Sequence, residues 1–261
     1  MKLSVITVNY NNAVGLRQTM ASVMAQLPAA AEYIIVDGGS TDESPALIQK
    51  QAPRLAYWVS EKDLGVYDAM NKGIRKATGD YLMFLNSGDL LAHPSSLQAC
   101  LELLAVQPAT DVLYGDVATV VNGQPVDTWR FPPQLTLTFF RTQTINHQAS
   151  LIKASLFQEL GTYPTQYRLA ADYWLYLACM LHDKKFTHFN AQLIRYDKSG
   201  LSAADSYQQY VAEMRDIWQA LVPPYVQVLV DENLQLRTIT EARVVKLAAA
   251  GNTLLRRFLK K

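Results

Sequence analysis

The sequence predicts an α/β fold, with a mostly parallel central sheet flanked by helices and a helical C-terminal extension. Short apolar runs, such as residues 33–37 and 81–85, stop abruptly at Gly, Ser and Asp, which is typical of buried parallel strands. Segments with the apolar spacing of helices separate these runs, as in right-handed βαβ units. With 261 residues, 49% of them apolar and 18% charged, the chain can bury a large core.

The first part of the chain alternates strands and helices in a regular order. A strand at residues 3–8 leads to a helix at 14–26, for which Asn11 or Asn12 is available as N-cap. After the strand at 33–37, the acids in the segment 41–44 suit the first turn of a second helix. A strand at 56–59, a helix at 67–77 closed by Gly79, a strand at 81–85, a helix at 94–106 that begins with Pro94 and a strand at 111–115 follow.

The second part has a different pattern. Segments 117–121 and 126–131 flank Asn122-Gly123 and predict a hairpin. Helices are predicted at 155–160, 171–181, 206–221 and from about 236 onward, and segments 186–189 and 191–196 are candidates for two strands. We therefore divide the chain into residues 1–115, residues 116–203 and a helical extension at 204–261.

Composition and termini exclude several classes of protein. The formal net charge of +1 gives no reason to expect a nucleic-acid partner. The N-terminus lacks a small-residue cleavage site, which favours a strand over a signal peptide, and the longest uncharged apolar stretch, residues 173–181, is too short to cross a bilayer. Cys100 and Cys179 lie in apolar helical contexts and are expected to be buried thiols of a reducing compartment, neither a disulfide nor a metal pair.

The C-terminal segment 253–261 mixes leucines with four cationic residues. Such a tail can lie on an anionic membrane face, and it can equally be a charged helix end packed on its own domain.

Two acids, Asp37 and Asp89, stand just after predicted parallel strands. Ligands of open α/β sheets bind beyond the carboxyl ends of the strands, so we expect both acids to point into one crevice. The glycines beside them allow close approach of the backbone to a bulky polar ligand.

Six motifs resemble those of family 2 glycosyltransferases and occur in the same order. They are Thr7-Val-Asn-Tyr-Asn-Asn12, Asp37-Gly-Gly-Ser-Thr-Asp42, Glu61-Lys-Asp-Leu-Gly-Val-Tyr-Asp-Ala-Met-Asn-Lys-Gly73, Phe84-Leu-Asn-Ser-Gly-Asp89, Asn146-His-Gln148 and Ala171-Asp-Tyr-Trp-Leu175. The resemblance covers about residues 3–202 and implies a GT-A type fold. Within this family, the chain most resembles the bacterial branch that builds surface polysaccharides such as O-antigen, capsule or colanic acid.

The resemblance implies a nucleoside-diphosphate sugar donor, most simply a UDP sugar. Asp37 then holds the base, with Thr7 and Asn9 lining the same pocket, while Asp68 holds ribose or sugar hydroxyls and Lys72 lies near the pyrophosphate. From the residues alone, Asp37 can instead cap its own turn. Asp68 and Lys72, four residues apart on one helix face, can likewise be a solvated ion pair.

The segment Asn86-Ser-Gly-Asp89 occupies the place of the family's Asp-x-Asp metal signature. Asn86 and Gly88 stand where acids are usual, which leaves Asp89 as the metal ligand and assigns Asn86 and Ser87 to substrate binding. The expected ion is Mg²⁺ or Mn²⁺, held largely by the donor phosphates. Without a metal, Asp89 is explained as the cap of a turn.

Asp172 matches the acid that serves this family as the catalytic base, which takes a proton from the acceptor hydroxyl. Its position in the first turn of a helix also suits a cap, and the second acid that often precedes it is Ala171 here. His147 matches a His-Gln pair of the same branch and can donate to the diphosphate or to the acceptor sugar, although a lone histidine is often structural. Arg168 and Arg195 are further candidates for phosphate contacts.

These residues predict an inverting, hexosyltransferase-type enzyme that acts on a saccharide or lipid-linked oligosaccharide acceptor. The expected location is cytoplasmic, with peripheral contact to the inner face of the membrane through residues 253–261. Residues 1–115 would bind the nucleotide sugar and residues 116–203 would face the acceptor.

Two other functions remain open. A sugar-nucleotidyltransferase is disfavoured because residues 9–12 replace its glycine-rich basic loop, and a non-catalytic nucleotide-sugar-binding subunit is suggested by the depleted metal motif. A dinucleotide dehydrogenase is disfavoured because no Gly-x-Gly-x-x-Gly occurs.

Overall fold

The computed structural model describes residues 1–121, 124–197 and 206–240. Three predicted features lie outside the described residues: the Asn122-Gly123 turn, the continuation of the last helix beyond residue 240, and the cationic tail at 253–261. Within the described part, no helix is long and apolar enough to span a membrane.

Strands and helices alternate along the first half of the chain. Strands β1 to β9 span Leu3–Asn9, Ala31–Asp37, Tyr57–Ser60, Tyr81–Phe84, Leu90–Leu91, Val112–Val121, Gln124–Trp129, Ser150–Lys153 and Phe186–Asp197. Helices α1 to α8 span Ala13–Met24, Ser44–Gln51, Val66–Lys76, Ser96–Val106, Leu137–Phe140, Ser155–Glu159, Ala171–Leu181 and Tyr207–Leu221, and α9 covers residues 224–240. Short 3₁₀ turns occur at Ala52–Arg54 and His147–Ala149.

The nine strands form one sheet in the order β3-β2-β1-β4-β8-β6-β9-β5, with β7 paired to β6. The first four strands are parallel, and β6 and β9 are also parallel to each other. Strand β8 is antiparallel to both β4 and β6. The carboxyl ends of β1, β2 and β3 are in register at Asn9, Asp37 and Ser60, so their polar residues meet at one edge.

Two apolar layers cover the two faces of the sheet. One contains Phe84, Tyr163, Tyr176 and Trp218 and includes α3, α7 and α8, and the other contains Leu16, Ile48 and Leu97 and includes α1, α2 and α4. Cys100 and Cys179 lie in different layers, and both are buried and free. Burial raises the pKa of each thiol to about 12, so neither carries a reactive thiolate at neutral pH.

The α/β class is confirmed, and several element boundaries are corrected. Segments 111–115 and 117–121 form the single strand β6, and segments 186–189 and 191–196 form the single strand β9. Both predicted breaks are absorbed by irregular register beside Gly115 and Asp116. The hairpin of β6 and β7 is confirmed by its antiparallel pairing.

The last helix begins at residue 224, well before the predicted position 236. Val226, Val230 and Leu234 pack on the core, and this stripe precedes the segment in which the prediction began. The predictions missed β5, β8 and α5, three elements of two to four residues.

Candidate active site

Asp37, at the end of β2, is completely buried and fully hydrogen-bonded. Its Oδ1 accepts from Asn9 Nδ2 at 2.7 Å and from Ser40 Oγ at 2.5 Å. Its Oδ2 accepts from Ser40 N at 2.9 Å and from Ser60 Oγ at 2.6 Å. A carboxylate offers about four acceptor positions. A base N–H can therefore reach Asp37 only by displacing one of these donors.

Thr7 and Asn9 belong to β1 and pair with the last residues of β2, but the two side chains offer a ligand different groups. The Thr7 hydroxyl is 2.9 Å from the hydroxyl of Tyr33, and Thr7 has no exposed atoms. Asn9 donates a hydrogen bond from Nδ2 to Asp37, while its Oδ1 is buried with no partner among the described residues. Asn9 is therefore the residue of the pair that has a free acceptor beside the strand ends.

Asp68 and Lys72 lie on α3 and are tied to the loop before it. Asp68 Oδ2 accepts from Leu64 N at 3.0 Å, and Lys72 Nζ donates to Lys62 O at 2.9 Å. Lys72 Nζ is also 3.0 Å from Glu61 Oε1 and 3.9 Å from Asp68 Oδ2. These contacts order the segment between β3 and α3, so the pair is more than a solvated surface interaction.

Asp63, in the same loop, is an acid near Asp37 to which the sequence interpretation assigned no role. A Cβ at Gly38 would be 2.6 Å from Asp63 Oδ2, so the glycine allows the two loops to pack closely. Burial raises the pKa of Asp63, and the nearby charges of Asp68 and Asp37 add to this effect. Its position in the short polar segment that follows β3 was the signal in the sequence.

The loop Asn86 to Asp89 follows β4 and lies against α1. Asn12 Nδ2 donates to Ser87 O at 3.0 Å, and Ser87 N donates to Val8 O at 3.1 Å. Gly88 has a φ of +106°, a conformation that disfavours other residues, and its N–H donates to Thr19 Oγ1. Thr19 Oγ1 is also 2.8 Å from Asp89 O. The strand-end loop is thus held by helix α1 and by the end of β1.

Asp172 lies in the first turn of α7 and is held through both carboxylate oxygens. Its Oδ2 is 3.0 Å from His147 Nδ1, and its Oδ1 accepts from Tyr67 Oη at 2.9 Å and from Tyr173 N at 2.9 Å. His147 Nε2 is 3.3 Å from Asn86 Nδ2. In this amide orientation Asn86 is the donor, so the proton of the neutral imidazole resides on Nδ1 and is donated to Asp172.

The structure brings Asp89 and Asp172 to one place through neighbouring residues of a single turn. Gln148 Nε2 donates to Asp89 Oδ2 at 3.1 Å, while His147 contacts Asp172. The loop of Asp89 borders the end of β1, whose Asn9 contacts Asp37. A continuous set of polar residues therefore runs along the sheet edge, and Gln148 and Tyr67 are members that the sequence interpretation did not single out.

Three buried amide oxygens along this edge have no partner among the described residues. They are Asn9 Oδ1, Asn86 Oδ1 and Gln148 Oε1. A buried acceptor without a partner costs about 1–3 kcal/mol, and at this edge the three oxygens are candidates to accept hydrogen bonds from a ligand.

In the described part of the chain, no side-chain hydrogen bond or ion pair joins Arg168 or Arg195, the arginines predicted as phosphate partners, to this polar edge. The main-chain N–H of Arg168 donates to Glu213, and Arg195 is an exposed residue of β9 opposite Leu90. A cavity of about 530 Å³ lies elsewhere, against β6 and β9, and is lined by Asp116, Arg130 and His188 among others. It contains none of the predicted site residues.

A curled α/β sheet whose parallel strands end in polar loops, faced by an acid at the start of a helix, is the architecture of GT-A glycosyltransferases. TarS of S. aureus (residues 1–349, in complex with UDP-GlcNAc) superimposes with a TM-score of 0.68 at 19% identity, covering 83% of this chain and 65% of that chain. A mannosyltransferase from Pyrobaculum calidifontis, in complex with GDP-Man and Mn²⁺, gives 0.64 at 20% identity, covering 88% and 68%. These likenesses show the fold.

The family model described as glycosyl transferase family 2 matches residues 4–158. An uncharacterized glycosyltransferase of Mycobacterium tuberculosis is 35% identical over 204 residues, 77% of each chain. A PGL/p-HBAD biosynthesis glycosyltransferase of Mycobacterium bovis is 31% identical over 189 residues, 71% of this chain and 72% of the relative. The chain belongs to glycosyltransferase family 2.

Proposed function

We propose that the protein transfers one sugar from a UDP-linked donor to a saccharide hydroxyl, with inversion at the anomeric carbon. The observation that carries this proposal is the hydrogen-bonded path from Asn86 through His147 to Asp172. It joins the strand-end loop that resembles a diphosphate site to the acid that resembles a catalytic base. A non-catalytic binding subunit would have no need of a base held beside that loop.

Asp172 is proposed as the base. Three of its acceptor positions are filled by described residues, which leaves one for the acceptor hydroxyl. As the hydroxyl oxygen attacks the anomeric carbon, its proton passes to Asp172, and the bond to the diphosphate breaks on the opposite face. His147 holds the carboxylate through Nδ1 and presents the other side of its ring to Asn86, next to the proposed diphosphate.

The donor is proposed to lie along the ends of β1, β2 and β4. Asn9 and Asp37 would shape the base pocket, with the unpartnered Asn9 Oδ1 as an acceptor for a base N–H and Thr7 as support. Asp68 and Lys72 would meet ribose and pyrophosphate, and Asn86 and Ser87 would face the sugar diphosphate. TarS was solved with UDP-GlcNAc, which supports UDP, and the division at residue 115 into donor and acceptor halves is part of the same proposal.

The residues fit a metal ion that is held mainly by its substrate. Among the described residues there is no group of three acidic, histidine or cysteine ligands. Asp89 and the unpartnered Asn86 Oδ1 supply two hard oxygens, and Mg²⁺ or Mn²⁺ commonly needs one or two protein ligands beside phosphates. Such an ion would neutralise charge on the departing diphosphate. Calorimetric UDP binding that strengthens with Mn²⁺ and loses this dependence in Asp89→Ala would support the assignment, and no dependence would overturn it.

The acceptor is proposed to be a lipid-linked oligosaccharide of a surface-polysaccharide pathway, met at the inner face of the membrane. Exposed apolar side chains on α9, among them Tyr225, Leu236 and Ile239, precede the cationic tail at 253–261 in the sequence. We expect co-flotation with phosphatidylglycerol vesicles and not with neutral ones, lost when residues 253–261 are deleted. Equal flotation with both vesicle types would contradict membrane contact.

The deciding experiment measures UDP release with a panel of UDP sugars and mass detection of the product. Asp172→Asn should retain donor binding and lose turnover by about 10²- to 10⁴-fold, the usual contribution of a general base. Release of pyrophosphate from a sugar phosphate and a nucleoside triphosphate would instead identify a sugar-nucleotidyltransferase. Donor binding without turnover in the unmodified protein would identify a binding subunit.

A further inference from the structure

The hydroxyl of Tyr67 lies between two acceptors. It is 2.9 Å from Asp172 Oδ1 and 3.0 Å from the main-chain oxygen of Leu169. Tyr67 is 4% exposed, and its ring packs on that of Tyr163, with the centroids 5.3 Å apart. A phenol carries one proton, so it donates fully to one acceptor at a time. The charged carboxylate is the stronger and nearer of the two acceptors.

We propose that Tyr67 is a positioning residue that serves both protonation states of Asp172. Before transfer its O–H donates to the carboxylate. The open acceptor position of Asp172 is on Oδ2, so the proton of the acceptor hydroxyl comes to rest there. Oδ1 then carries less charge and is a weaker acceptor, and the Tyr67 O–H turns to Leu169 O. The only covalent exchange is that of the proposed transfer, in which the acceptor O–H breaks and an O–H forms on Asp172. The inference rests on Asp172 being the base.

The surroundings keep this hydroxyl neutral throughout. Burial, and then the charge of Asp172, raise the pKa of Tyr67 well above its usual value, so it does not lose its proton to the base. Burial also raises the pKa of three neighbouring tyrosines, and the charge of Asp172 adds to this effect in each; they are Tyr163, Tyr176 and Tyr210.

The position of Tyr67 in the chain links the base to the donor side. It stands in the first turn of α3, directly before Asp68, whose carboxylate holds the loop that precedes the helix. Any shift of this helix start moves the hydroxyl relative to Asp172. Orientation of the base is therefore coupled to the segment proposed to meet the donor.

The test is Tyr67→Phe, which removes the hydroxyl and keeps the ring. We expect kcat to fall by about 10- to 100-fold, the loss expected for one hydrogen bond to a charged group, with donor KM unchanged. The acidic limb of the pH–rate profile should move to higher pH, because a donor that favours the ionised carboxylate is gone. A purely structural role would lower stability without moving that limb.

The matched control is Tyr163→Phe. Tyr163 Oη is buried, without a partner among the described residues, and its ring touches that of Tyr67. Its loss should leave kcat within about two-fold and the pH limb in place. If Tyr67→Phe does not fold, 3-fluorotyrosine at position 67 keeps the hydroxyl as a stronger donor and should move the acidic limb to lower pH.

Two results overturn the inference, and they differ in what else they affect. If the unmodified protein turns over and Tyr67→Phe has the same pH profile as Tyr163→Phe, the positioning role of Tyr67 is wrong and the proposed function still stands. Absence of turnover by the unmodified protein with every UDP sugar, despite donor binding, removes the proposed function and this inference with it.

Discussion

Asp37 and Asp172 are both nearly inaccessible to solvent, but the groups that hold them differ in kind. Asp37 is surrounded at the ends of β1, β2 and β3 by two N–H donors, from Asn9 and Ser40, and by the hydroxyls of Ser40 and Ser60. Asp172 receives one fixed N–H, from Tyr173, and otherwise meets a hydroxyl and an imidazole. Hydroxyl and imidazole groups can exchange the roles of donor and acceptor, whereas N–H groups cannot.

Asp37 thus has both oxygens doubly engaged, whereas Asp172 keeps one open acceptor position on Oδ2. Every acceptor position of Asp37 is filled, so its charge fastens three strand ends together. The partners of Asp172 can adapt to either protonation state, which a proton-transferring group requires. The same comparison fits the role proposed for Asp37, which is to shape the base pocket.

The largest expected effect on stability is that of Asp37→Asn. Whichever way the new amide is turned, its NH₂ faces the N–H of Asn9 or of Ser40, so a buried donor is left unpaired. We expect the free energy of unfolding to fall by about 3–5 kcal/mol, the usual cost of breaking a buried charged network, measured by urea denaturation.

The matched variant for that experiment is Asp172→Asn. Its amide NH₂ can face His147 Nδ1 if the imidazole proton moves to Nε2, where the unpartnered Oδ1 of Asn86 can accept it after an amide flip. We expect a loss of less than about 1.5 kcal/mol. Equal losses in the free energy of unfolding for Asp37→Asn and Asp172→Asn would contradict this difference between the two acids.

The sequence predicted the strand ends and their acids because those signals are local. An apolar run that stops at Asp37 or Asp89 can be recognised within ten residues of the chain. The hydrogen-bonded network around Asp172 could not be predicted, because its members are far apart in the sequence. Tyr67 lies 105 residues from Asp172, and Asn86 lies 61 residues from His147. Which rotamers meet across such separations depends on how α3, α7 and the 147–149 turn pack, and no periodicity carries that information.

The comparison extends to Glu32, another fully engaged carboxylate, at the opposite end of β2. Burial alone would raise the pKa of Glu32, but hydrogen bonds from Lys2, Ser4 and Thr78 outweigh it and lower the pKa from 4.5 to about 2. Because the pKa is lower in the folded state, the stabilisation is fully present above pH 4.5 and is lost as the pH falls through about 2.

Glu32→Gln should therefore be less stable than the unmodified protein at pH 7, and the two should converge between pH 4.5 and 2. The measurement is urea denaturation at a series of pH values, with exposed Glu102→Gln as the control that changes one charge at the surface. A constant gap between the Glu32→Gln and unmodified proteins across that range would contradict a charge-dependent role.

The smallest expected loss of stability is that of Asn86→Ala. Asn86 makes one long side-chain hydrogen bond, 3.3 Å to His147, and its Oδ1 has no partner among the described residues. Removing a buried acceptor that is unsatisfied offsets the lost bond, so the free energy of unfolding should change by less than about 1 kcal/mol. UDP-sugar binding, measured by calorimetry on the same variant, should weaken by about ten-fold, as for one lost hydrogen bond. The opposite result, a large loss of stability with unchanged binding, would place Asn86 with the fastening groups around Asp37.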